Sequence, residues 1–165
     1  MDIIMHNIKE MIQEYDPSNC VYKAILYVVL SPRRGRRLKS GDLPPIRQCE
    51  DNIPPVFRGK YQSSGYIAIM TVHNEYLCFY LLEHGRFIIC SKKIIPYNSM
   101  FHLNIRKRLF GNKMEFIYFS DDKKWKMNIL FYDKVLLIRG QEENAKILKE
   151  FFKIKPRNCT EPYHN

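Results

Sequence analysis

The chain has 165 residues, 45% of them hydrophobic, which suits a single domain over residues 1–165 with its own hydrophobic core. Lysine and arginine number 27 against 17 aspartate and glutamate residues, so the formal net charge is +10. A charge of this size favours partners that carry phosphates, such as RNA, DNA or an anionic membrane surface. The aromatic content of 13% excludes a disordered basic tail, because such tails are poor in rings.

The predicted elements begin with a helix and a strand. Apolar residues at spacings of one, three and four predict an amphipathic helix from about Asp2 to Glu14, and the residues from Val21 to Leu30 predict a β-strand. The segment from Ser31 to Ser64 then holds five prolines, three glycines and eight basic residues. Regular structure is improbable in such a segment, so we expect residues 31–64 to form a long basic arm that crosses the surface.

The second half of the chain is a succession of short β-strands separated by turns of hairpin length. The predicted strands are Gly65 to Val72, Tyr76 to Leu82, Arg86 to Ile95, Met114 to Ser120, Trp125 to Phe131 and Val135 to Arg139. A helix from about Glu142 to Lys153 follows, with a tail over residues 156–165. The expected fold is therefore α+β, a twisted antiparallel β-meander packed with N- and C-terminal helices and interrupted by a long, basic, proline-rich loop.

The start of the arm is the first candidate binding segment, because it carries four guanidinium groups and an ammonium within nine residues. These groups belong to Arg33, Arg34, Arg36, Arg37 and Lys39. Guanidinium forks pair with phosphate oxygens and stack on exposed bases, which indicates an RNA-binding arm. Neutralising about five phosphates would make log affinity fall with log salt at a slope of about −4. A solvated charge run or a nuclear-import signal is the alternative.

A second basic cluster brackets a turn that presents a ring beside positive charge. The cluster consists of Arg106, Lys107, Arg108 and Lys113 around Phe110, and Lys92 and Lys93 at a strand end complete the predicted RNA-binding set. Basic side chains interleaved with rings are typical of sequence-tolerant RNA binding, where cations contact phosphates and rings stack on bases. The alternative for Phe110, and for the single tryptophan Trp125, is a place in the core.

Motifs of nucleotide-binding, hydrolytic and metal enzymes are absent from the sequence. His73-Asn74-Glu75 matches only the first part of a zinc-deaminase signature, and the cysteine ligands that must follow are missing. The five histidines fall singly in predicted turns or termini, where we expect ordinary surface roles. We therefore predict a protein that is not an enzyme and that has no cofactor, no metal and no small-molecule substrate.

The apolar runs and the cysteines of the sequence also bear on where the protein is located. No N-terminal stretch has the form of a secretion signal, and the longest apolar runs are far shorter than the roughly 20 residues of a membrane-spanning helix. The five cysteines are widely spaced and form no metal-binding pair, so we expect reduced thiols, with Cys78 and Cys90 in the core. These features predict a cytoplasmic protein.

Two segments resemble tubby-domain motifs in the expected order, namely residues 109–116, Leu-Phe-Gly-Asn-Lys-Met-Glu-Phe, and residues 131–140, which end in Leu-Ile-Arg-Gly. The resemblance implies a phosphoinositide-binding adaptor on a barrel around a central helix, with Lys92, Lys93, Arg106 and Arg108 as head-group contacts. A pleckstrin-homology-like sheet capped by the C-terminal helix fits the order of elements equally well. A phosphoinositide membrane is thus the alternative partner.

The chain also resembles a class of proteins in its size and composition. The small size and the richness in lysine, isoleucine, tyrosine and phenylalanine resemble the dormancy factors that occupy idle microsporidian ribosomes. This likeness implies ribosomal RNA and ribosomal proteins as partners, with residues 31–39 and 106–113 as the contacts. The function expected from the whole sequence is a ribosome-associated RNA-binding protein that inhibits translation by steric occupation during hibernation.

Overall fold

The computed structural model describes residues 7–34, 66–83, 86–120, 123–135 and 138–154, which form two α-helices and seven β-strands. The elements in chain order are α1 (Ile8–Tyr15), β1 (Ala24–Arg34), β2 (Tyr66–Val72), β3 (Tyr76–Leu82), β4 (Ile89–Pro96), β5 (Met100–Lys107), β6 (Asn112–Ser120), β7 (Lys123–Phe131) and α2 (Gln141–Ile154). All neighbouring strands pair antiparallel in one sheet, and the expected α+β class is confirmed.

The strand order is β4-β3-β2-β1-β7-β6-β5, so the sheet is not the strictly sequential meander that we expected. Two runs of hairpins, β1 to β4 and β5 to β7, are joined where β1 meets β7. The join is possible because β1 is 11 residues long. Its first part, Ala24–Leu30, pairs with β2, and its last part, Val29–Arg34, pairs with β7. The two neighbouring strands thus pair with successive parts of β1 that overlap by two residues.

One face of the sheet, here called the inner face, surrounds the main hydrophobic core. Every strand contributes to this core, and α2 closes it with Ala145 and Leu148. The two edge strands, β4 and β5, are consecutive in the chain and are joined by the short 3-10 turn Tyr97–Ser99. Tyr97 contacts both Phe151 and Phe152 of α2, with ring centroids 6.1 and 5.6 Å apart. The connection between the two edge strands therefore lies beside α2.

Among the described elements, α1 covers the opposite, outer face, and it does so over β1 to β3. Ile8 and Ile12 of α1 pack on Ile25, Ile69 and Tyr80, which alternate with the inner-face residues of the same strands. Both faces of β3 are consequently buried, as its continuous run of apolar residues suggests. The helix begins at Ile8 and not at about Asp2, because the Asn7 side chain accepts hydrogen bonds from the first free backbone amides. Residues 1–6 lie outside the described residues.

The first residues of α2 complete the backbone hydrogen bonding of β1 where β7 does not reach. The Gln141 amide accepts a hydrogen bond from Tyr27 N at 2.9 Å and donates to Tyr27 O at 2.9 Å and to Tyr132 O at 3.1 Å. Asn144 Oδ1 accepts from Ile25 N at 2.9 Å. Buried backbone groups need such partners, so two side chains here take the place of a neighbouring strand.

Several predicted boundaries are wrong, since β4 begins at Ile89 and not at Arg86, β6 at Asn112 and not at Met114, and β7 at Lys123 and not at Trp125. β1 continues past Leu30 to Arg34, into the segment expected to be irregular, because β7 offers a partner that no single sequence reveals. The strand predicted from Val135 to Arg139 is only an isolated bridge between Val135 and Ile138. The rest of the arm, from residue 35 to 64, lies outside the described residues, as does the tail.

A further error concerns β5, which we did not predict at all. Residues 101–106, Phe-His-Leu-Asn-Ile-Arg, alternate between partly buried apolar and exposed polar side chains, so the sequence does contain a strand signal that the prediction overlooked. The irregularity of β5 lies in its pairing with β6, where the register shifts between Phe101 and Asn104 and His102 has a positive φ of 55°.

Two expectations about single side chains also changed. His73 is buried rather than exposed, stacked on Tyr76 at 4.3 Å and 2.9 Å from the Thr71 hydroxyl, and burial lowers its pKa. Cys78 is buried and free, as expected, whereas Cys90 is disulfide-bonded, so the expectation of reduced thiols is wrong for Cys90. Of the helices that the structure describes, with 8 and 14 residues, neither has the length and apolar character needed to cross a membrane.

Candidate nucleic-acid interface

The outer face of the sheet carries a cluster of cations where α1 does not cover it. Arg106 of β5, Lys113 of β6 and Lys126 of β7 surround Glu115 of β6. Their nitrogens lie 3.6, 2.8 and 3.6 Å from the Glu115 carboxylate oxygens, respectively. The register brings them together, because Arg106 lies opposite Lys113, and Glu115 lies two pairs further along the ladder and so on the same face. We call these four residues the cationic face.

The cationic face has a surplus of positive charge. Three cations share one carboxylate, and that carboxylate is itself largely buried, with 16% of its side chain exposed. The hydrogen bond from Lys113 lowers the pKa of Glu115, so the carboxylate is ionised at neutral pH. Arg106 and Lys126 remain half exposed, at 51% and 49% of their side chains. Two cations can therefore contact an external anion while Glu115 holds all three in place.

The hairpin between β5 and β6 ends in an exposed, basic and apolar tip, which we define as residues 107–111. Arg108 N donates a hydrogen bond to Gly111 O at 2.9 Å, which leaves Leu109 and Phe110 at the apex. These two side chains are 90% and 78% exposed, so the core alternative for Phe110 is wrong. Gly111 has a φ of +78°, and a Cβ at this position would lie 2.9 Å from the backbone oxygen of Phe131. The shape of the tip thus requires a glycine.

The base of the predicted arm lies beside the cationic face. Arg33 and Arg34 belong to β1, where they are opposite Lys126 and Trp125 in the register with β7. Arg36, Arg37 and Lys39 lie outside the described residues. The last described residues before the arm, Arg33 and Arg34, therefore pair with the strand that carries Lys126.

Lys92 and Lys93 are not part of the cationic face, since β4 is at the other end of the strand order. Lys92 donates to Asp16 Oδ2 at 2.8 Å, and Tyr80 donates to the same oxygen at 2.9 Å. Burial alone would raise the pKa of Asp16, but these two bonds outweigh it and the pKa is lowered. Lys93 is partly buried and belongs to the opposite face of β4, because it pairs with the inner-face residue Phe79. Lys92 therefore stabilises the fold through its ion pair with Asp16.

Sequence reasoning missed the residue at the centre of the site. Glu115 was not predicted because an isolated acid in a basic segment has no motif, and Lys126 was not among the predicted binding residues. The available signal was the alternation along β6, which places Lys113 and Glu115 on one face with Met114 on the other. Which cations approach Glu115 from β5 and β7 depends on strand register, and register is not legible in a single sequence.

Comparisons with known proteins identify no family for the chain. No protein-family model matches the chain, and no curated protein is detectably similar to it in sequence. Within the part of the chain that the structure describes, no group of three or more histidine, cysteine, aspartate or glutamate side chains is placed to hold a metal ion.

Proposed function

We propose that the protein is a non-enzymatic RNA-binding protein whose cationic face and hairpin tip contact the phosphate backbone and exposed bases of a structured RNA. One observation carries the proposal, namely that, within the described residues, α1 covers the outer face over β1 to β3 and not over β5 to β7, where the exposed cations Arg106 and Lys126 gather around Glu115. In this proposal Arg106 and Lys126 neutralise phosphates, and Phe110 stacks on an unpaired base.

The target that we propose is ribosomal RNA within the ribosome, in the cytoplasm. Bound there, the protein acts by occupying a functional site and so keeps the ribosome inactive, without any reaction of its own. The arm adds to this contact, because it leaves the sheet at β1, next to the strand that carries Lys126. The net charge of +10 supports the same reading, since it raises the local concentration of a polyanion around the protein.

The test measures the binding of the full chain to a ribosomal RNA stem-loop over a range of salt concentrations. The variant Arg106→Gln/Lys126→Gln keeps both side-chain stems and removes two charges. We expect its affinity to fall roughly tenfold and the salt slope to shrink by about two, because two phosphate contacts are lost. Co-sedimentation of the same variant with purified ribosomes should weaken in parallel.

A matched control is available on another surface. Lys134 and Lys146 both pair with Glu142, at 3.5 and 3.9 Å, and both are more than two thirds exposed. Lys134→Gln/Lys146→Gln therefore makes the same change of charge around one glutamate, away from the cationic face. Equal losses in the two variants would show that only net charge matters, and an unchanged salt slope in the first would remove the cationic face from the interface.

A phosphoinositide-binding adaptor is a second candidate, and the hairpin tip favours it. Leu109 and Phe110 are exposed directly after the exposed cations Lys107 and Arg108, an arrangement that also suits insertion among anionic lipid head groups. The order of elements, four strands, three strands and a helix, remains compatible with the pleckstrin-homology-like alternative. Sedimentation with phosphoinositide vesicles and with ribosomes separates the two functions, and a pellet with vesicles alone would support the adaptor.

A further inference from the structure

A cleft between the edge strand β5 and the helix α2 is separate from the cationic face. Its volume is about 410 Å³. Leu103 and Ile105 of β5 and Phe152 of α2 provide apolar lining, and Lys107, Lys149 and Lys153 provide positive charge. The cleft opens beside the inner face of β5, whereas Arg106 belongs to the outer face, so the two surfaces lie on opposite sides of one strand.

The charges in the cleft are only partly compensated. Asp133 accepts hydrogen bonds from Lys149 at 3.0 Å and from Asn112 at 2.9 Å. These bonds lower the pKa of Asp133, and the nearby ammonium of Lys107 contributes to the same effect. Asp133 therefore stays ionised and offsets one lysine, while Lys107 and Lys153 remain exposed at the rim. The cleft has a net positive charge of two in its immediate surroundings.

The backbone of β5 offers hydrogen-bonding groups along the cleft. In an antiparallel pair, residues that bond their neighbour alternate with residues whose N–H and C=O point away from it. Arg108 bonds Gly111 of the β6 side, so Arg106 also faces β6, and Ile105 and Lys107 direct their backbone groups to the open edge. Within the described residues, no strand pairs with this edge of the sheet.

We propose that this cleft binds an extended acidic peptide segment of a partner protein, which adds a strand to the edge of β5. Backbone groups of Ile105 and Lys107 would bond the peptide, an apolar side chain would rest on Leu103 and Phe152, and an acidic one would pair with Lys107 or Lys153. Between Leu103 and Lys107 the strand spans about 14 Å, enough for about five peptide residues. The apolar lining and the free strand edge favour a peptide over a nucleic acid, which has no backbone amides to pair.

The test follows the backbone amides of the 15N-labelled full chain by NMR. The probe is the synthetic peptide acetyl-Glu-Leu-Glu-Phe-Glu-Leu-Glu-amide, and its counterpart with lysine at every glutamate is the control probe. We expect the acidic peptide to shift the amide signals of Ile105 and Lys107 and to slow their hydrogen exchange, because both amides gain an acceptor. The basic peptide should leave these signals unchanged.

Variants connect the effect to the charges of the cleft. Lys107→Glu/Lys153→Glu should weaken the acidic peptide about tenfold, whereas Lys9→Glu/Lys23→Glu, exposed lysines on α1 and just before β1, should stay within about twofold. Absence of shifts at Ile105 and Lys107 at saturating peptide would overturn the proposal. It would also be overturned if the peptide shifted the cationic face instead, or if a uridine oligonucleotide bound the cleft as tightly. RNA binding to the cationic face is measured separately, so either proposal can fail alone.

Discussion

The two halves of the sheet use the same kind of strand for different purposes. Strands β1 to β3 are buried on both faces, between the main core and α1, and the polar groups on their outer face are engaged internally, as in the hydrogen bond of Tyr80 to Asp16. Strands β5 to β7 bury their inner face in the main core, and their outer face carries the half-exposed cations Arg106 and Lys126 around a largely buried Glu115. The comparison indicates that the position of α1 distinguishes a half that is buried on both faces from a half whose outer face carries exposed cations.

The largest expected effect is a loss of stability in the half of the sheet that α1 covers. Ile12→Ala removes a fully buried side chain between α1 and the sheet, and we expect a loss of about 3 kcal/mol in the free energy of unfolding. Chemical denaturation measures it. The matched change on the open half is Leu109→Ala, where the side chain is 90% exposed, and it should cost less than about 0.5 kcal/mol. Similar losses in the two variants would contradict the division into halves.

An intermediate effect is expected at the seam between the halves. Gln141→Leu keeps a side chain of similar size but leaves Tyr27 N, Tyr27 O and Tyr132 O without their present partners, so we expect a loss of about 2 kcal/mol. Thermal and chemical unfolding would both report it. Glu143→Leu, at an exposed position of the same helical turn, is the control and should change stability by about 0.5 kcal/mol or less. An unchanged free energy of unfolding in Gln141→Leu would mean that water takes over the hydrogen bonds of the amide.

The smallest effect sharpens the comparison, because it has opposite signs for stability and for binding. Glu115→Gln should lower the free energy of unfolding by about 1 kcal/mol, since a largely buried carboxylate loses three ion pairs. The same change adds one positive charge to the cationic face, so RNA affinity should rise about twofold to threefold. A loss of both stability and affinity would show that Glu115 positions the cations and that their geometry matters more than their sum.

The stability part of this prediction depends on pH in a defined direction. The pKa of Glu115 is lowered in the folded protein, chiefly by the hydrogen bond from Lys113. Its contribution is therefore complete above the ordinary glutamate pKa of 4.5 and is lost as the pH falls through the lower, folded value. The stability difference between the wild type and Glu115→Gln should be present at neutral pH and vanish in acid. A difference that persists in acid would point to packing instead of charge.

Elements with an uninterrupted pattern were predictable from the sequence. β3 matches its predicted range, Tyr76 to Leu82, and α2 differs from its predicted range by one residue at each end, because continuous apolar runs and helical spacing need no tertiary information. β5 was missed although residues 101–106 alternate between apolar and polar side chains, so this error lies in the reading of the sequence and not in the sequence itself. The end of β1 was placed too early because its last residues pair with β7, a contact that a single sequence does not show.

The candidate site was predictable in composition and not in arrangement. The basic segment 106–113 was identified, yet its division into a cationic face, a tip and a cleft depends on which residues of β5 point to which side. Lys92 was grouped with it because charge alone does not show that Asp16 already holds that ammonium at 2.8 Å. Strand register and sheet order decide both outcomes, and each depends on contacts between residues far apart in the chain.

The use of Gln141 as a substitute strand has a consequence for how the protein is made. The hydrogen bonds that complete β1 come from a residue 114 positions later in the chain. At a synthesis rate of 5–20 residues per second, β1 waits roughly 6 to 23 s for this partner. During that interval an apolar strand has an unfinished edge, so the nascent chain is exposed to wrong pairing, and the cell must either shield it or complete synthesis quickly.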